Sequence, residues 1–402
     1  MLNILRIKVS GYRMLEDDFT IDLTTKARVY DIDKAKEVIE LDKGLYVFRS
    51  LAFVGRNSSG KTTILSLIYK TLQFLETGRW EYRPLDYSDK GLKLNIVFYL
   101  DGSLYDYSVK FKDVVFDGSS VIGGFLPIKE ETLKRLEYQK ARGIKNLELI
   151  ASDGYDYSEV LSASLNDTSA ITKITGGKIM VDDFNNNSIT NINEVIVRRT
   201  FFTSLNSCNL KLVSSIIKLF DESIEYIIND SENRIRFKRI GENERIVSNL
   251  ELMTILSQGT FRGVELYIRC INALKYGKVI IVDEIENCFQ KNLVYNLLFL
   301  FNDASINKYG AQLIFSTHYV EILDYLNRRD GIFITHKENG FINVSNLYSD
   351  YNVRNELLKS KQFDNNVFNT AINYNQLLEV RRELHNELYS DNDGRNGWIS
   401  FS

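Results

Sequence analysis

The sequence predicts an α/β fold built around a parallel sheet, and three observations support that prediction. Short, largely apolar runs, such as LYVFRSLAFVG at 45–55 and VIIV at 279–282, have the composition of buried strands. Longer segments between such runs, such as TTILSLIYKTLQFL at 62–75, place apolar residues at helical spacing. Residues 1–60 are rich in strand-like segments, and the first, MLNILRIKVSGYRML, alternates apolar and charged side chains, which indicates a β-rich N-terminal lobe.

A glycine-rich turn joins the first buried strand to the helix that follows it. It has the spacing G-x-x-x-x-G-K-[ST]. Backbone N–H groups of such a loop can surround a phosphate chain, and the next helix directs the positive end of its dipole towards the same point. The lysine adds a point charge for the β and γ phosphates, and the threonine hydroxyl can ligate Mg²⁺. The predicted nucleotide-binding residues are Gly55, Arg56, Asn57, Ser58, Ser59, Gly60, Lys61, Thr62 and Thr63.

Polar groups that suit the same chemistry follow two further apolar runs. Asp283 and Glu284 follow the run 279–282, and His318 follows the strand LIFST. Ligands of open parallel sheets bind at the carboxyl ends of the strands, so these side chains are expected at one edge. We expect Asp283 to hold the Mg²⁺ shell, Glu284 to act as general base towards a water, and Lys61 to neutralise charge on the γ-phosphate.

An amphipathic helix begins about twenty residues before the strand that ends in Asp283 and Glu284. Ser257 and Gly259 occupy its first turn. A Ser and a Gly at a helix N-terminus can bind a phosphate, although a Ser at that position is equally typical of an ordinary N-cap. The position of this Ser and Gly, shortly before the strand that ends in Asp283 and Glu284, favours the phosphate-binding interpretation.

The composition of the chain limits which partners it can bind and which cellular compartment it suits. Net charge is -3, so the chain as a whole gives no basic signal for nucleic acid. The three cysteines are scattered without a C-x-x-C spacing, which argues against a disulfide framework or a zinc site and for a reducing compartment. No apolar run approaches the ~18 residues of a membrane span, and the N-terminus lacks the apolar region of a signal peptide. We therefore expect a cytoplasmic protein without a membrane partner.

In their order along the chain, the four motifs resemble those of ABC-class ATPases. They are the phosphate loop, L-S-x-G at 256–259, the strand ending in D-E and the strand ending in T-H. The resemblance implies an α/β, ABC-type P-loop ATPase head with an N-terminal β-rich lobe, a central parallel sheet and a helical insertion. It also implies hydrolysis of ATP in the presence of Mg²⁺. His318 resembles the switch histidine that contacts the γ-phosphate. Ser257 and Gly259 resemble signature residues that close over ATP held by another subunit, so the site would be complete only in a homodimer or larger homo-oligomer.

With this resemblance the chain divides into four segments. Residues 1–118 would form the N-terminal part of the ATPase head, and 119–230 a mainly helical insertion for partner or dimer contacts. Residues 231–345 would return to the head with the signature, the acidic strand and the switch histidine. Residues 346–402 would form a helical tail.

Local patterns within these segments predict individual elements. GLKLNIVFYLDGSLYDYSVKF contains two strands around a DGS turn and is predicted to form a hairpin. KEETLKRLEYQKARGIKNLELIAS and LKLVSSIIKLFDESIEYII have helical periodicity. TGGKIMVDDFNNNSITNIN is polar and is predicted to be a loop.

Within the ABC class, several pieces are most similar to compact OLD-like AAA-type ATPases of bacterial anti-phage defence, of the AbiL and RloA abortive-infection type. These pieces are LRIKVSGYRML, FVGRNSSGKTT, LSQGT, VDEIEN and IFSTHYVEIL. The resemblance implies a regulatory subunit that acts through a partner effector encoded nearby, often a Toprim-type nuclease. The chain departs from the family at Cys288, Phe289 and Gln290, where Leu-His-Pro is usual near the dimer seam. Because only about eighty residues follow His318, we expect no nuclease domain within this chain.

Two other branches of the class are alternatives. A RecF- or SMC-like DNA repair or recombination ATPase would bind DNA directly and begins with similar strands, although 119–230 is too short and irregular for an SMC coiled coil. A transporter subunit would place the signature closer to the phosphate loop. The basic pair Arg198–Arg199 could contact nucleic acid or an effector, whereas Arg381–Arg382, among glutamates, is typical of a solvated helix face.

Overall fold

The structure is a computed structural model of the 402-residue chain. It describes residues 2–82, 91–113, 124–138, 155–156, 168–184, 210–231, 234–287, 289–351, 358–368 and 374–389. Cys208, Cys288 and the pair Arg198–Arg199 lie outside the described residues. Cys270 is buried and is not part of a disulfide among the described residues.

Strands and helices are numbered here along the described residues. The strands are β1 Asn3–Ser10, β2 Phe19–Asp22, β3 Val38–Asp42, β4 Leu45–Phe48, β5 Ser50–Val54, β6 Glu81–Tyr82, β7 Lys93–Leu100, β8 Ser103–Phe111, β9 Gly124–Phe125, β10 Ile128–Glu137, β11 Tyr155–Asp156, β12 Val181–Phe184, β13 Ile224–Ser231, β14 Arg234–Arg239, β15 Arg245–Val247, β16 Val279–Val282, β17 Gln312–Thr317, β18 Ile332–Glu338 and β19 Phe341–Asn346. The helices are α1 Asp31–Lys36, α2 Lys61–Thr77, α3 Thr172–Thr175, α4 Leu210–Phe220, α5 Asn249–Ile255, α6 Gln258–Tyr276, α7 Lys291–Asn302, α8 Lys359–Asp364 and α9 Tyr374–Tyr389. Two 3₁₀ turns cover Ile285–Asn287 and Val320–Tyr325.

A central sheet holds the apolar runs that predicted a parallel arrangement. Its strand order is β12-β16-β17-β5-β18-β19, and all neighbours are parallel except the β18–β19 hairpin. The single strand predicted at 45–55 is two strands, β4, which pairs with β3, and β5 in the central sheet. All five residues of β5 are buried. Leu51 and Phe53 pack in the core that contains α2, whereas Ala52 and Val54 pack in the core that contains α6 and α7. Helices cover both faces, so a strand without exposed positions is what this sheet requires.

A second, antiparallel sheet forms the N-terminal lobe, with the order β11-β10-β8-β7-β1-β2. The predicted hairpin is confirmed, since β7 and β8 pair around the turn at Asp101 and Gly102. Side chains of α2 pack against this sheet as well as the central one: Phe74 contacts Tyr107 of β8, with ring centroids 6.1 Å apart. The α/β class with a β-rich N-terminal lobe and a central parallel sheet is therefore confirmed.

A third sheet, β13-β14-β15, lies between α4 and α5 along the chain. Val213, Ile216 and Ile217 of α4 are buried in the same core as Ile227 of β13 and Val264 of α6. Phe220, at the end of α4, packs so closely on Gly263 of α6 that a Cβ there would overlap the ring. This small lobe is thus attached to the helix that carries the signature residues.

Three predictions within 119–230 are wrong in detail. Residues 128–137 form a strand, not a helix, because β8 pairs with them along their length. The predicted helix from 210 ends at Phe220, and its continuation is strand β13. Residues 181–184, predicted to be loop, form β12, which pairs in parallel with β16. The described part of this segment is therefore not mainly helical, and the segment boundaries themselves stay a prediction.

After β19, the described residues of the C-terminal segment include two helices, α8 and α9. Phe363 of α8 and Phe368 after it are buried in the central core. Side chains of α9 are largely exposed. None of the described helices is long and apolar enough to cross a membrane.

Candidate functional site

The carboxyl ends of three adjacent strands meet at one edge of the central sheet. Val54, the last residue of β5, lies opposite Thr317 of β17, and Phe315 of β17 lies opposite Val282 of β16. The phosphate loop, His318 and Asp283 each follow one of these strands. The register therefore brings together three groups that are far apart in sequence, as predicted from their strand-end positions.

The phosphate loop, residues 55–60, runs from β5 to α2. Ser58 and Gly60 have positive φ angles of 62° and 105°. Gly60 is the N-cap of α2 and supplies no side-chain cap, so the N–H groups of the first helical turn face the loop without a side-chain acceptor at that position. Arg56, Asn57 and Ser58 are exposed. A helix N-terminus of this kind favours a bound anion.

Strand β18 and the hairpin partner β19 fix the conformation of the loop from behind. Ser59 Oγ and Thr335 Oγ1 share a buried hydrogen bond of 2.6 Å. A Cβ on Gly55 would lie 2.6 Å from Ser59 Oγ and closer still to the carbonyl oxygen of Thr335. A Cβ on Gly60 would lie 2.7 Å from Ile342 Cδ1. Both motif glycines are therefore required by packing within the free protein, in addition to any contact with a phosphate.

Lys61 is 5% exposed and closes over the loop. Its Nζ donates to the carbonyl oxygens of Gly55, at 3.0 Å, and Arg56, at 3.2 Å. Burial lowers the pKa of the Lys61 ammonium, and the nearby carboxylates of Asp283, Glu284 and Glu286 oppose that shift. The lysine charge is thus held between the loop and the acidic strand end.

Asp283 receives hydrogen bonds from both neighbouring elements. Thr62 Oγ1 donates to Asp283 Oδ2 at 2.6 Å, and Ser316 Oγ of β17 donates to Asp283 Oδ1. Asp283 is 6% exposed, whereas Thr62 is exposed. Hydroxyl and carboxylate oxygens are hard ligands, so the pair Thr62 and Asp283 fits a small divalent cation such as Mg²⁺.

Glu284 and His318 face each other beside that pair. His318 Nε2 lies 3.6 Å from Glu284 Oε1, and the two side chains are 32% and 39% exposed. Glu284 has a positive φ of 51°, an unusual conformation for a residue other than glycine. Its backbone N–H donates to Ser316 Oγ at 2.8 Å, and its Oε2 accepts from Asn287 Nδ2 at 2.6 Å. The turn therefore directs a carboxylate and an imidazole, both accessible to water, towards one point.

Ser257 and Gly259 are not joined to this cluster within the described residues. Ser257 is the N-cap of α6: its Oγ accepts from Thr260 N at 3.0 Å and shares a 2.7 Å hydrogen bond with Thr260 Oγ1. Both Ser257 and Gly259 are exposed. A Cβ on Gly259 would meet only Ser257 Oγ, at 4.0 Å. Thr63, the remaining predicted residue, is buried in α2.

Three residues of the site escaped the sequence prediction. Ser316 bridges Asp283 and the backbone of Glu284, Thr335 holds Ser59, and Glu286 accepts a 2.5 Å hydrogen bond from the His318 backbone N–H. Ser316 and Glu286 are neighbours of predicted residues in sequence, in FSTH and DEIE. Thr335 had no signal, since its role depends on the pairing of β18 with β5.

Comparisons with known proteins add a similarity of fold. No protein-family model matches the chain, and no curated protein matches it. Among solved structures, the chain is similar to the crystal structure of the Smc head bound to the C-winged helix domain of ScpA. The identity is 14%, the match covers 86% of this chain and 97% of that chain, and the TM-score is 0.41. The functional proposal therefore rests on the geometry of the site itself.

Proposed function

We propose that this chain binds and hydrolyses ATP with Mg²⁺ as the regulatory subunit of a bacterial anti-phage defence system. It would dimerise around ATP and control a partner effector, a Toprim-type nuclease. The observation that supports the ATPase part is the meeting of Lys61, the Thr62–Asp283 pair and the Glu284–His318 pair at one sheet edge. The defence role and the effector are supported by the resemblance of the sequence motifs alone.

Each group has a role in this proposal. Loop amides and Lys61 would bind the phosphates of ATP, with the lysine charge offsetting the negative charge that develops during transfer. Thr62 and Asp283 would hold Mg²⁺, which when bound supplies further positive charge beside the phosphates. Glu284 would accept a proton from the attacking water as general base, and His318 would contact the γ-phosphate. The exposure of Glu284 and His318 gives water and nucleotide access to both side chains.

The homodimer is part of the proposal because Ser257 and Gly259 are exposed and, among the described residues, have no hydrogen bond to the phosphate loop of their own chain. An exposed helix N-terminus on one subunit can offer its N–H groups to a phosphate bound by another. The small lobe of α4 and β13–β15 contacts the same helix through Phe220 and Gly263, and it is a reasonable place for trigger or effector contacts.

The mass of the complex in solution tests this proposal. The chain is purified together with the product of the neighbouring gene, with and without MgATP, beside the variant Glu284→Gln. We expect a stable complex with a nuclease-like partner, ATPase activity in the wild type, and an ATP-trapped dimer with hydrolysis reduced by about 10²–10⁴-fold in the variant. Rapid turnover by Glu284→Gln would show that the assignment of the base is wrong.

A DNA repair or recombination ATPase of the RecF or SMC kind is the second candidate, and one surface feature favours it. Lys93 and Lys110 lie directly opposite each other on β7 and β8. Together with Lys112 and Lys129 they line a depression of about 340 Å³. Lys110 is paired with Glu130. Asp113 lines the same depression, so four lysines against Asp113 and Glu130 leave a net positive charge there, which would attract a polyanion such as DNA.

Salt dependence of DNA binding separates the two candidates. If DNA is a ligand, a fluorescent duplex should bind more tightly with ATP, and its affinity should fall steeply as salt rises. The double variant Lys112→Glu with Lys129→Glu should weaken that binding and leave ATP affinity unchanged. Absence of DNA binding at low salt, with a stable complex of chain and effector, would favour the defence role.

A further inference from the structure

A third acid lies in the turn that carries Glu284. Glu286 is in the 3₁₀ turn Ile285–Asn287, and its Oε1 accepts a hydrogen bond from the His318 backbone N–H at 2.5 Å. Its Oε2 is buried and has no hydrogen-bond partner among the residues that the structure describes. The one described hydrogen bond of this carboxylate therefore goes to the backbone of the residue that follows β17.

Other hydrogen bonds lie on either side of this one at the end of β17. Ser316 Oγ donates to Asp283, and Tyr319 N donates to Thr317 Oγ1 at 3.0 Å. The two bonds anchor the residues on either side of His318. Glu286 alone, among the described residues, holds the His318 backbone itself.

Glu286 and Glu284 belong to the same short turn, so the bond links both members of the Glu284–His318 pair. The 3.6 Å separation of His318 Nε2 from Glu284 Oε1 depends on where the His318 backbone sits relative to that turn. A displacement of about 1 Å at a reacting group can reduce a rate by about a hundredfold. Holding the His318 backbone is thus a direct way to hold the spacing of the two side chains.

The alternative role for Glu286 is that of the general base. The sequence DEIE offers either glutamate for it. In the structure one oxygen of Glu286 is used by the His318 N–H and the other is buried, whereas the Glu284 side chain is 39% exposed. A general base must reach the water that it deprotonates. Access favours Glu284 for that task.

We propose that Glu286 is a positioning residue that sets the spacing between His318 and Glu284 by accepting the His318 backbone N–H, and that it transfers no proton itself. The proposal rests on the proposed ATPase function for its kinetic consequences. Its structural part, the placement of the imidazole, holds independently of hydrolysis.

Two substitutions test this role, because one changes only the charge of the side chain and the other changes only its length. Glu286→Gln removes the charge but keeps a carbonyl oxygen at the same distance for the His318 N–H. Glu286→Asp keeps the charge but withdraws the acceptor by one methylene. We expect kcat of Glu286→Gln to stay within about threefold of wild type, and kcat of Glu286→Asp to fall by about tenfold to a hundredfold, with the KM for ATP nearly unchanged in both. Glu338→Asp, on the exposed end of the β18–β19 hairpin, is the matched control and should leave activity unchanged.

A spectroscopic readout separates this inference from the proposed function. The chain has three histidines, so His318→Ala assigns the imidazole signals of His318 in an NMR spectrum. We expect those signals to move in Glu286→Asp and to stay in place in Glu286→Gln. A wild type that neither binds nor hydrolyses ATP would overturn the proposed function, and the imidazole signals would still decide the placement. The positioning role is wrong if Glu286→Gln binds ATP but is as inactive as Glu284→Gln, or if the His318 signals of Glu286→Asp match those of wild type.

Discussion

The Thr62 hydroxyl donates a 2.6 Å hydrogen bond to Asp283 Oδ2, which joins the first turn of α2 to the end of β16 across 221 positions of sequence. Ser316 holds the other oxygen of the same carboxylate from β17. Asp283 is therefore fixed from two sides before any nucleotide or cation is bound. A fixed pair of oxygen ligands lowers the ordering cost of binding a metal, as preorganisation does for any ligand.

Thr62→Val should separate metal-dependent from metal-independent binding of ATP. Valine has nearly the shape of threonine but offers no oxygen to Mg²⁺. We expect ATP affinity in the presence of Mg²⁺ to fall by about tenfold to a hundredfold, in the range seen when a group that supports a metal site is lost. Affinity measured with a chelator should be unchanged. Titration calorimetry with Thr62→Ser as control, which keeps the hydroxyl, checks this, and an equal loss with and without Mg²⁺ would contradict the ligand role.

Thr335→Val should destabilise the phosphate loop from behind. The substitution removes the partner of Ser59 Oγ and a 3.3 Å hydrogen bond to the carbonyl oxygen of Val54, at a position that is 1% exposed. A buried hydroxyl left without a partner costs about 1–3 kcal/mol. We expect the free energy of unfolding to fall by that amount and ATP binding to weaken, because the loop loses its support.

Urea denaturation and ATP titration of the same samples measure both effects. Thr335→Ser keeps the hydroxyl and loses only a methyl group, so it should retain the loop conformation and most of the ATP affinity. If Thr335→Ser and Thr335→Val bind ATP equally weakly, the hydrogen bond to Ser59 is not what supports the loop.

The core of the site could be predicted from sequence because local patterns specify it. Five consecutive buried residues in β5, the glycines of the following turn and the acids after β16 are all contiguous signals. Their meeting at one edge follows from a general property of parallel sheets, that ligands bind at the carboxyl ends of the strands. The phosphate loop, Asp283, Glu284 and His318 were therefore accessible to prediction.

The elements that escaped prediction are set by contacts between distant segments. In β10, residues with high helix propensity pair with β8 instead, and Glu131 accepts hydrogen bonds from Tyr107 and Ser169 in the lobe interior. In β12, the polar sequence VDDF forms a strand because it pairs with β16, and Asp182 meets Arg269 of α6. Ser316, Glu286 and Thr335 likewise gain their roles only from strand register. The two partners of each of these contacts lie far apart in the sequence, so a local sequence pattern does not include both of them.

A buried charge cluster attaches the signature helix to the central sheet. Nη1 of Arg269 in α6 lies 2.6 Å from Oδ1 of Asp182 in β12. Nη2 of Arg269 lies 2.8 Å from Oε1 of Glu265, one turn earlier in α6. Burial raises the pKa of Glu265, and the Arg269 guanidinium opposes that shift. Arg269→Met removes the cation and leaves two carboxylates without it. We expect the free energy of unfolding at neutral pH to fall by about 3–5 kcal/mol, the usual result of breaking a buried pair on one side.

The stability that Arg269→Met loses should depend on pH, in a direction that the raised pKa of Glu265 determines. Without Arg269 the pKa of Glu265 rises further above its ordinary value of 4.5, so the folded variant takes up a proton at a pH where the unfolded chain does not. Protonation removes the buried charge. The deficit of Arg269→Met should therefore be largest above the raised pKa and shrink as pH falls towards 4.5. Urea denaturation at neutral and mildly acidic pH checks this, and the double variant Arg269→Met with Glu265→Gln should show a much smaller change with pH.

Subunits with defects in different motifs should complement each other if the site is shared between two chains. Lys61→Ala disables the phosphate loop. Gly259→Asp places a negative charge beside the predicted phosphate position, and the chain should still fold because the new Cβ has open space and an acid suits the first turn of a helix. Each variant alone should be inactive.

In an equal mixture, a heterodimer combines the intact loop of one subunit with the intact signature turn of the other. Half of the dimers are then heterodimers with one of two sites restored, so the mixture should regain about a quarter of wild-type ATPase activity if subunits exchange freely in a symmetric dimer. A mixture of Lys61→Ala with Thr62→Val is the control, since both substitutions lie in the first turn of α2, directly after the phosphate loop, and no dimer then contains an intact phosphate-binding segment. Activity of Gly259→Asp alone equal to wild type would show that the signature turn takes no part in the site, and a mixture that stays inactive while heterodimers are present would place both motifs in one chain.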